Sequence, residues 1–358
     1  MVSNPALGVL FHWLGGLASA SFYVPYRGVK GWAWETYWLV GGIFSWIIAP
    51  WFLAGLMTKD LFAVLSEAPA RAVFWAFFFG LLWGIGGLTF GLTMRYLGMS
   101  LGMAVALGLC AAFGTLMPPI FAGTFLTQVL GTSSGRVIML GIVVCLSGIA
   151  VAGLAGLAKE RTVSPEQQRE SIKEFSLKKG LAVATLSGVM SACFAYGLAA
   201  GSPIKALTLR HGTATLWQGL PVLIVVLVGG FTTNFVWCLI LNVRNRTGRQ
   251  YFTPAQPDAA TGPTPMISNY LFCALAGTTW YFQFFFYTMG ETQMGRYGFS
   301  SWTLHMASII IFSTLWGIGL REWKGSGAHA MRLLTLSLVL LVGSTVVVGY
   351  GNFLAIAR

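Results

Sequence analysis

The chain has 358 residues, of which 56% are hydrophobic and only 9% are charged. Its mean hydropathy of +0.73 excludes a soluble protein of this length and indicates an integral membrane protein. The five cysteines all fall within apolar stretches and none is spaced as CxxC, so the sequence indicates neither a disulfide framework nor a zinc site.

Ten apolar stretches of membrane-spanning length follow one another along the chain. A hydrocarbon core about 30 Å thick needs about 20 helical residues to cross it. In chain order, the predicted transmembrane helices are residues 6–26, 34–57, 72–95, 99–121, 136–158, 180–200, 216–241, 268–290, 299–320 and 333–355. The first stretch has no basic residue before it and contains His12 and Trp13, so we expect a permanent helix instead of a cleaved signal peptide. The predicted fold is an all-α integral membrane protein with ten transmembrane helices.

The formal net charge is +12, and the distribution of basic residues points to membrane orientation, not to nucleic-acid binding. Fifteen of the 22 Lys and Arg residues fall in one set of alternating connections: Arg27, Lys30, Arg95, Lys159, Arg161, Arg169, Lys173, Lys178, Lys179, Arg244, Arg246, Arg249, Arg321, Lys324 and Arg332. The other set holds Lys59, Arg71, Arg136, Lys205, Arg210, Arg296 and Arg358. The positive-inside rule places the richer side in the cytoplasm, so both termini are predicted to face outward.

Five predicted helices precede the basic connection 159–179 and five follow it. Because five is odd, the second half enters the membrane from the opposite side, which is the inverted-repeat plan of many secondary transporters. The segment Gly16–Phe22 (GLASASF) parallels Gly188–Phe194 (GVMSACF), and Gly8 and Gly180 keep the same offset. The predicted organisation is a first five-helix repeat over 1–158, a basic cytoplasmic connection over 159–179 and a second five-helix repeat over 180–358.

Sequence motifs for enzymatic or ATP-driven chemistry are absent. The chain contains no HExxH, no Walker loop, no paired acidic metal motif and no dinucleotide fingerprint. The sequence therefore predicts that the protein is not an enzyme and needs no cofactor or metal. Polar residues inside the predicted helices then carry the functional information, because a charged side chain at the centre of a membrane helix costs at least about 2.5 kcal/mol.

Three ionisable residues of the apolar stretches are candidates for proton or substrate contact. Glu35 lies about one turn into the second predicted helix among aromatic rings that disfavour a charged carboxylate; the alternative is an ordinary acidic residue in the first turn of a helix. His12 and His305 can take up a proton and bind a hydroxyl near neutral pH, or each can be a neutral packing residue that donates to a backbone carbonyl. We predict Glu35 and His12 as proton-coupling residues and His305 as a sugar contact.

The eighth predicted helix carries a polar and aromatic face, because Trp280, Gln283 and Tyr287 follow i, i+3, i+7 spacing. Rings stack on the apolar face of a sugar and an amide binds its hydroxyls; the alternative is an aromatic packing stripe with one buried amide. Trp302 lies one turn before His305 on the same face, and Pro221 is expected to kink the seventh helix. The predicted sugar-binding set is Trp38, Asn234, Trp280, Gln283, Tyr287, Trp302 and His305.

A series of tracts along nearly the whole chain carries a family resemblance: Ala18–Tyr26, Trp32–Trp38, Val40–Ile48, Gly91–Ser100, Trp280–Tyr287, Trp302–Met306 and Glu322–Trp323. Together they resemble the L-rhamnose–proton symporter family, a branch of the drug/metabolite transporter superfamily. The resemblance implies a ten-helix fold and uptake of L-rhamnose driven by an inward proton gradient. It also implies a bacterial inner membrane, and with the charge distribution above this makes both termini periplasmic. A monomer is compatible with this plan, and the sequence does not define the oligomeric state.

Three alternatives stay open at this point. Gly86–Phe90 departs from the family pattern, which has an asparagine-bearing stretch there, so the substrate can be a related 6-deoxy or similar sugar. Sodium can replace the proton as the coupling ion, and an exporter of drugs or metabolites belongs to the same superfamily. A membrane-embedded enzyme or receptor would need a nucleophile with its base, a metal set or a signalling domain, none of which is visible in the sequence.

Overall fold

The computed structural model describes residues 3–97, 99–162, 176–253 and 265–356, which form long helices joined by short connections. The ten long helices are α1 Pro5–Tyr26, α2 Trp34–Met57, α3 Ala70–Leu97, α4 Met99–Phe121, α5 Ser133–Glu160, α6 Leu177–Ala200, α7 Leu220–Asn245, α8 Met266–Gln293, α9 Ser301–Gly319 and α10 Gly327–Ile356. Shorter helices, Leu61–Glu67 and Ser202–Arg210, follow α2 and α6. Each predicted stretch overlaps one long helix, so the all-α prediction is confirmed. Most of the predicted connection 159–179 lies outside the described residues.

Most of the long helices are apolar enough to lie in a bilayer. Within the described residues, nine of them have the length and composition to cross a membrane. The remaining one is α8, which has 28 residues but carries Asn269, Gln283 and Glu291 among several threonines and tyrosines. A multi-pass membrane protein is therefore confirmed, whereas the tenth crossing, by α8, stays a prediction.

Two prolines explain where helices start or change their geometry. Residues Phe44–Ile48 of α2 form a π-helical turn, in which the Ala49 N–H donates to the Phe44 carbonyl. Pro50 follows directly and has no N–H to continue the α-helical pattern. Pro221 lies in the first turn of α7, where a backbone N–H has no partner within the helix. The expected kink at Pro221 is therefore wrong, because this proline begins the helix and does not interrupt it.

The helices pack in pairs that repeat between the two halves. α1 packs against α8 and α9, α6 packs against α3 and α4, and α5 packs against α10. α7 packs against α3, and α2 packs against α8. If each helix is exchanged for the one five places away, the α1–α8 contact becomes α6–α3, the α1–α9 contact becomes α6–α4, and the α2–α8 contact becomes α7–α3. This correspondence is what an inverted repeat produces.

Glycines permit the closest of these helix contacts. A Cβ atom on Gly16 of α1 would overlap Ser308 of α9, and a Cβ atom on Gly188 of α6 would lie 2.8 Å from the Leu109 side chain of α4. Small residues let membrane helices approach closely. The two glycines that correspond in the sequence repeat therefore make corresponding helix contacts, which supports the predicted repeat.

Candidate sugar and proton site

Two histidines and a tyrosine from three helices meet inside the protein. His12 lies on α1, Tyr287 on α8 and His305 on α9, and all three side chains are buried. The ring centroid of Tyr287 lies 5.4 Å from that of His12 and 5.2 Å from that of His305. The two imidazole centroids are 6.3 Å apart. We refer to these three residues as the histidine cluster, which joins a predicted proton residue to two predicted sugar contacts.

Three of the four imidazole nitrogens of this cluster are buried without a hydrogen-bond partner among the described residues. Both ring nitrogens of His12 and Nδ1 of His305 make no hydrogen bond to any part of the chain that the structure describes. A packing histidine that donates to a backbone carbonyl would look different, because at least one ring nitrogen would be paired. An unpaired buried polar group costs about 1–3 kcal/mol. A proton or a hydroxyl group is the kind of partner that could pair these nitrogens.

Glycines provide the space for the two imidazole rings. A Cβ atom on Gly290 of α8 would lie 2.8 Å from Nε2 of His12, and one on Gly15 of α1 would lie 3.2 Å from Cε1 of His305. Both distances are shorter than an ordinary carbon contact of about 3.5 Å. The bare backbone at these two positions lets α1, α8 and α9 enclose the histidines.

Trp302 uses its polar edge to hold α9 against α4. Its Nε1 donates to the Cys110 carbonyl at 3.0 Å in a buried hydrogen bond. Its ring centroid lies 5.7 Å from that of Tyr287 and 6.4 Å from that of His305. Trp302 therefore forms one wall of the histidine cluster, and its indole N–H is already occupied in this structure.

A second group of aromatic rings surrounds Trp280 of α8. Trp280 stacks on Phe22 of α1 with a centroid distance of 4.7 Å and an interplanar angle of 8°. Its centroid lies 5.2 Å from that of Trp38 and 5.0 Å from that of Trp46, both of α2. We refer to Phe22, Trp38, Trp46 and Trp280 as the tryptophan cluster. Flat apolar rings of this kind are the surfaces on which sugar rings stack in proteins.

Asn234 acts on this cluster through Trp38. Its Oδ1 accepts a hydrogen bond from Nε1 of Trp38 at 3.0 Å, and its Nδ2 donates to the Gly230 carbonyl at 2.9 Å. Both ends of the amide are thus engaged within the protein. Asn234 orients the Trp38 ring. Its amide therefore reaches the stacking surface only through Trp38, although Asn234 was predicted as a direct sugar contact.

Gln283 lies between the two clusters on α8. Its side chain is buried, and no described residue forms a hydrogen bond with its amide. Trp280 is one turn before it and Tyr287 one turn after it, so all three lie on one helix face. All three residues lie within one continuous helix, so their spacing places them on the same face of α8.

Further aromatic residues join the two clusters, and the sequence analysis did not identify them. Phe194 of α6 lies 4.8 Å from Phe284 and 5.9 Å from Trp302 by ring centroids, and Trp83 of α3 lies 5.1 Å from Phe194. Trp46 connects to Trp83 at 6.2 Å. A continuous set of rings thus runs from α2 to α9. The signal that could have found these residues is the large aromatic content inside apolar stretches.

Glu35 lies at the opposite end of the helix bundle from the histidine cluster. Its Oε1 accepts hydrogen bonds from Asn245 Nδ2 at 2.9 Å and Thr247 Oγ1 at 2.8 Å. Lys30, five residues before Glu35, forms two backbone hydrogen bonds with the Asn269 side chain at the start of α8, whereas Tyr287 of the histidine cluster lies near the end of α8. The rise along α8 from Asn269 to Tyr287 is about 27 Å. The structure therefore does not bring the two predicted proton residues, Glu35 and His12, together.

The groove between α4 and α5 lacks the chemistry of a sugar site, and the described residues show no cluster that could hold a metal ion. A groove of about 480 Å³ between α4 and α5 is lined by apolar residues such as Leu109, Leu146 and Ile149, so it has nothing to bind a hydroxyl. Within the described ranges, no three His, Cys, Asp or Glu side chains lie close enough to hold a metal ion. The two aromatic clusters and Gln283 are thus the best candidate site.

The comparisons with known proteins agree with the resemblance noted in the sequence. The family model described as L-rhamnose-proton symport protein matches residues 1–354. An L-rhamnose-proton symporter of Cronobacter sakazakii is 38% identical over 348 residues, covering 96% of this chain and 97% of that protein. Proteins of the same name from Mannheimia succiniciproducens and Yersinia pestis are 38% and 36% identical over 346 and 348 residues, with the same coverage of both chains. This chain belongs to the L-rhamnose-proton symport protein family.

Proposed function

We propose that this protein imports L-rhamnose together with protons by alternating access. The observation that carries the proposal is the histidine cluster, in which His12 and His305 are buried with unpaired ring nitrogens beside Tyr287. Imidazole takes up a proton near neutral pH, and a buried imidazole next to a sugar can bind the proton and a hydroxyl group together. The names of the relatives point to the same substrate and the same coupling ion.

The sugar side of the proposal rests on the face of α8. Trp280 supplies a stacking surface, Gln283 supplies a free amide, and Tyr287 supplies a hydroxyl beside the histidines. Small-ligand sites combine an apolar lining with a few placed polar groups in this way. The Gln283 amide and the Tyr287 hydroxyl suit a substrate with hydroxyl groups better than the apolar substrate of an exporter, so the arrangement favours a sugar.

The proposed membrane path has ten crossings in two inverted halves, with both termini periplasmic in a bacterial inner membrane. Two ion pairs support this path. Arg27 contacts Glu322 at 3.1 Å, joining the connections after α1 and α9, and Lys205 contacts Glu291 at 2.7 Å, joining the segment after α6 to the end of α8. Ten crossings place the members of each pair on the same side of the membrane. The matching helix contacts of the two halves add to this support.

Coupling in this proposal is a thermodynamic linkage between sugar and proton. If protonation of the histidine cluster improves sugar affinity by some factor, bound sugar raises the proton affinity of the cluster by the same factor. A coupling free energy of about 1–3 kcal/mol corresponds to a factor of about 5 to 150. Because α1, α8 and α9 all contribute to the cluster, a movement of one half against the other exposes sugar and proton to the same side together.

The geometry favours His12 over Glu35 as the proton carrier, and Glu35→Gln separates the two. A glutamine side-chain oxygen can still accept from Asn245 and Thr247, so we expect this variant to keep pH-dependent, concentrative uptake. Glu35→Leu leaves both donors without that acceptor and should slow transport, because a buried donor without a partner costs about 1–3 kcal/mol. Uptake in proteoliposomes at two external pH values checks both variants. If Glu35 is instead the carrier, Glu35→Gln loses the pH dependence while sugar exchange survives.

Uptake of labelled L-rhamnose into proteoliposomes that contain the purified protein tests the proposed function. We expect accumulation when an inward proton gradient is imposed and none when a sodium gradient replaces it. Accumulation with sodium alone would keep the sugar and change the coupling ion. Absence of uptake under both gradients, with correctly inserted protein, would contradict the proposal and favour the exporter alternative.

A further inference from the structure

The π-helical turn of α2 carries two buried hydrogen-bonding side chains that have no partner. Ser45 and Trp46 lie within the turn Phe44–Ile48, and both residues are 0% exposed. Neither Oγ of Ser45 nor Nε1 of Trp46 forms a hydrogen bond with any described residue. Each unpaired buried donor is unfavourable by about 1–3 kcal/mol, and π-helical turns within α-helices occur frequently at functional sites. Two adjacent unpaired groups on such a turn indicate a ligand.

The Trp46 ring is held firmly inside the tryptophan cluster. A Cβ atom on Gly42 would lie 2.6 Å from this ring, so the absence of a side chain at Gly42 lets the indole pack directly against the helix backbone. On the other side, the Trp46 centroid lies 5.0 Å from that of Trp280 and 6.2 Å from that of Trp83. The position of the indole N–H is thus determined by packing, which is what a selective binding group requires.

Trp46 differs from two nearby tryptophans in the hydrogen bonding of its indole N–H. The indole N–H of Trp38 donates to Asn234, and that of Trp302 donates to the Cys110 carbonyl. Those two N–H groups have structural partners, whereas the Trp46 N–H is equally buried and has none. Packing alone does not require the unpaired donor that Trp46 brings into the cluster.

The tryptophan cluster also contains a ring that occupies the stacking surface in this structure. Phe22 lies flat on Trp280 with a centroid distance of 4.7 Å, and it belongs to the last turns of α1. A sugar that takes the place of Phe22 on Trp280 would therefore move the end of α1. That movement would open the cluster beside Ser45 and Trp46.

We propose that Trp46 Nε1 and Ser45 Oγ bind adjacent ring hydroxyls of the pyranose that stacks on Trp280. This inference rests on the proposed function and deepens it, because it assigns hydroxyl recognition to the π-helical turn of α2. The two side chains are specificity-determining residues for a sugar with hydroxyls on neighbouring carbons. The Gln283 amide and the histidine cluster then contact the same ligand from α8 and α9.

Equilibrium binding of L-rhamnose and its monodeoxy analogues to purified wild type and Trp46→Phe tests the assignment. Phenylalanine keeps an aromatic ring in the cluster and removes the N–H donor together with the five-membered part of the indole, a loss of volume that the control variant below shares. We expect Trp46→Phe to weaken L-rhamnose binding by roughly tenfold, the order of one buried hydrogen bond. For one monodeoxy analogue the two proteins should bind equally, because the hydroxyl that Trp46 recognises is missing. Ser45→Ala should show the same behaviour with the analogue that lacks the adjacent hydroxyl.

Trp13→Phe is the matched control. Trp13 also has a buried indole N–H without a partner, but its ring lies against Phe312, outside the tryptophan cluster. We expect this variant to bind L-rhamnose and every analogue as the wild type does. The assignment is overturned if the wild type binds L-rhamnose and Trp46→Phe and Ser45→Ala retain its affinity and analogue preferences. If the wild type binds neither L-rhamnose nor any related pyranose, the proposed function fails and the assignment fails with it.

Discussion

Replacing His12 with glutamine should abolish accumulation of L-rhamnose against its gradient while sugar exchange across the membrane continues. Glutamine can still bind a hydroxyl at this position, but it cannot take up a proton. At one proton per sugar, an inward gradient of one pH unit supports about tenfold accumulation. The variant should reach an accumulation ratio of about one at the same gradient. Uptake under a pH gradient and counterflow without a gradient, both in proteoliposomes, measure the two activities.

The matched control for this prediction is His329→Gln. His329 lies near the start of α10 and is exposed, whereas the residues of the histidine cluster are buried, so its replacement should leave accumulation unchanged. His305→Gln should resemble His12→Gln in accumulation and also weaken the sugar affinity, because His305 is a proposed sugar contact. Concentrative uptake by His12→Gln at the wild-type level would show that the proton is carried elsewhere.

Trp280→Ala should produce the largest loss of sugar affinity among single substitutions. Trp280 is the ring that Phe22, Trp38 and Trp46 surround, and its removal leaves no stacking surface at the centre of the cluster. We expect the KM for uptake to rise by at least about tenfold, which corresponds to about 1.4 kcal/mol. Initial rates over a range of L-rhamnose concentrations measure this change.

Trp75→Ala provides the comparison for Trp280→Ala. Trp75 of α3 is 40% exposed, contacts the Phe74 and Phe78 rings of the same helix, and belongs to neither aromatic cluster. Its removal deletes a ring of equal size without touching the candidate site. An equal rise in KM for both variants would mean that Trp280 acts through general stability and not through the sugar.

The helices were predictable from the sequence because hydropathy is a property of each segment alone. The π-helical turn at Phe44–Ile48 was not predicted, although Pro50 is its evident cause. The face shared by Trp280, Gln283 and Tyr287 was also predictable, since helical spacing determines it. The spacing of residues within one helix therefore predicted the residues that α8 contributes to the candidate site.

The spacing of residues in the sequence does not predict which residues of different helices contact one another. His12 and His305 stand almost at opposite ends of the chain, and the ring of Tyr287 that joins them comes from a third helix. Asn234 was predicted as a sugar contact because it is a polar residue in an apolar helix, and only the structure reveals that both ends of its amide are engaged. Buried polarity thus identified important residues without revealing their partners.

Aromatic residues in apolar stretches posed the opposite difficulty. Trp46, Trp83 and Phe194 look like ordinary membrane-helix residues because lipid and protein interior are equally apolar. Their contacts, from 5.0 to 6.2 Å between ring centroids, link the tryptophan cluster to the histidine cluster. A single sequence cannot distinguish such rings from those that face lipid.

Proton uptake on addition of L-rhamnose to the purified protein tests the central claim most directly. In weakly buffered detergent solution near neutral pH, sugar binding to the wild type should raise the pH of the medium, because bound sugar increases the proton affinity of the histidine cluster. The variant that carries both His12→Gln and His305→Gln should bind sugar without this change. Proton uptake of wild-type size by the double variant, or sugar binding by the wild type without any proton uptake, would contradict the account.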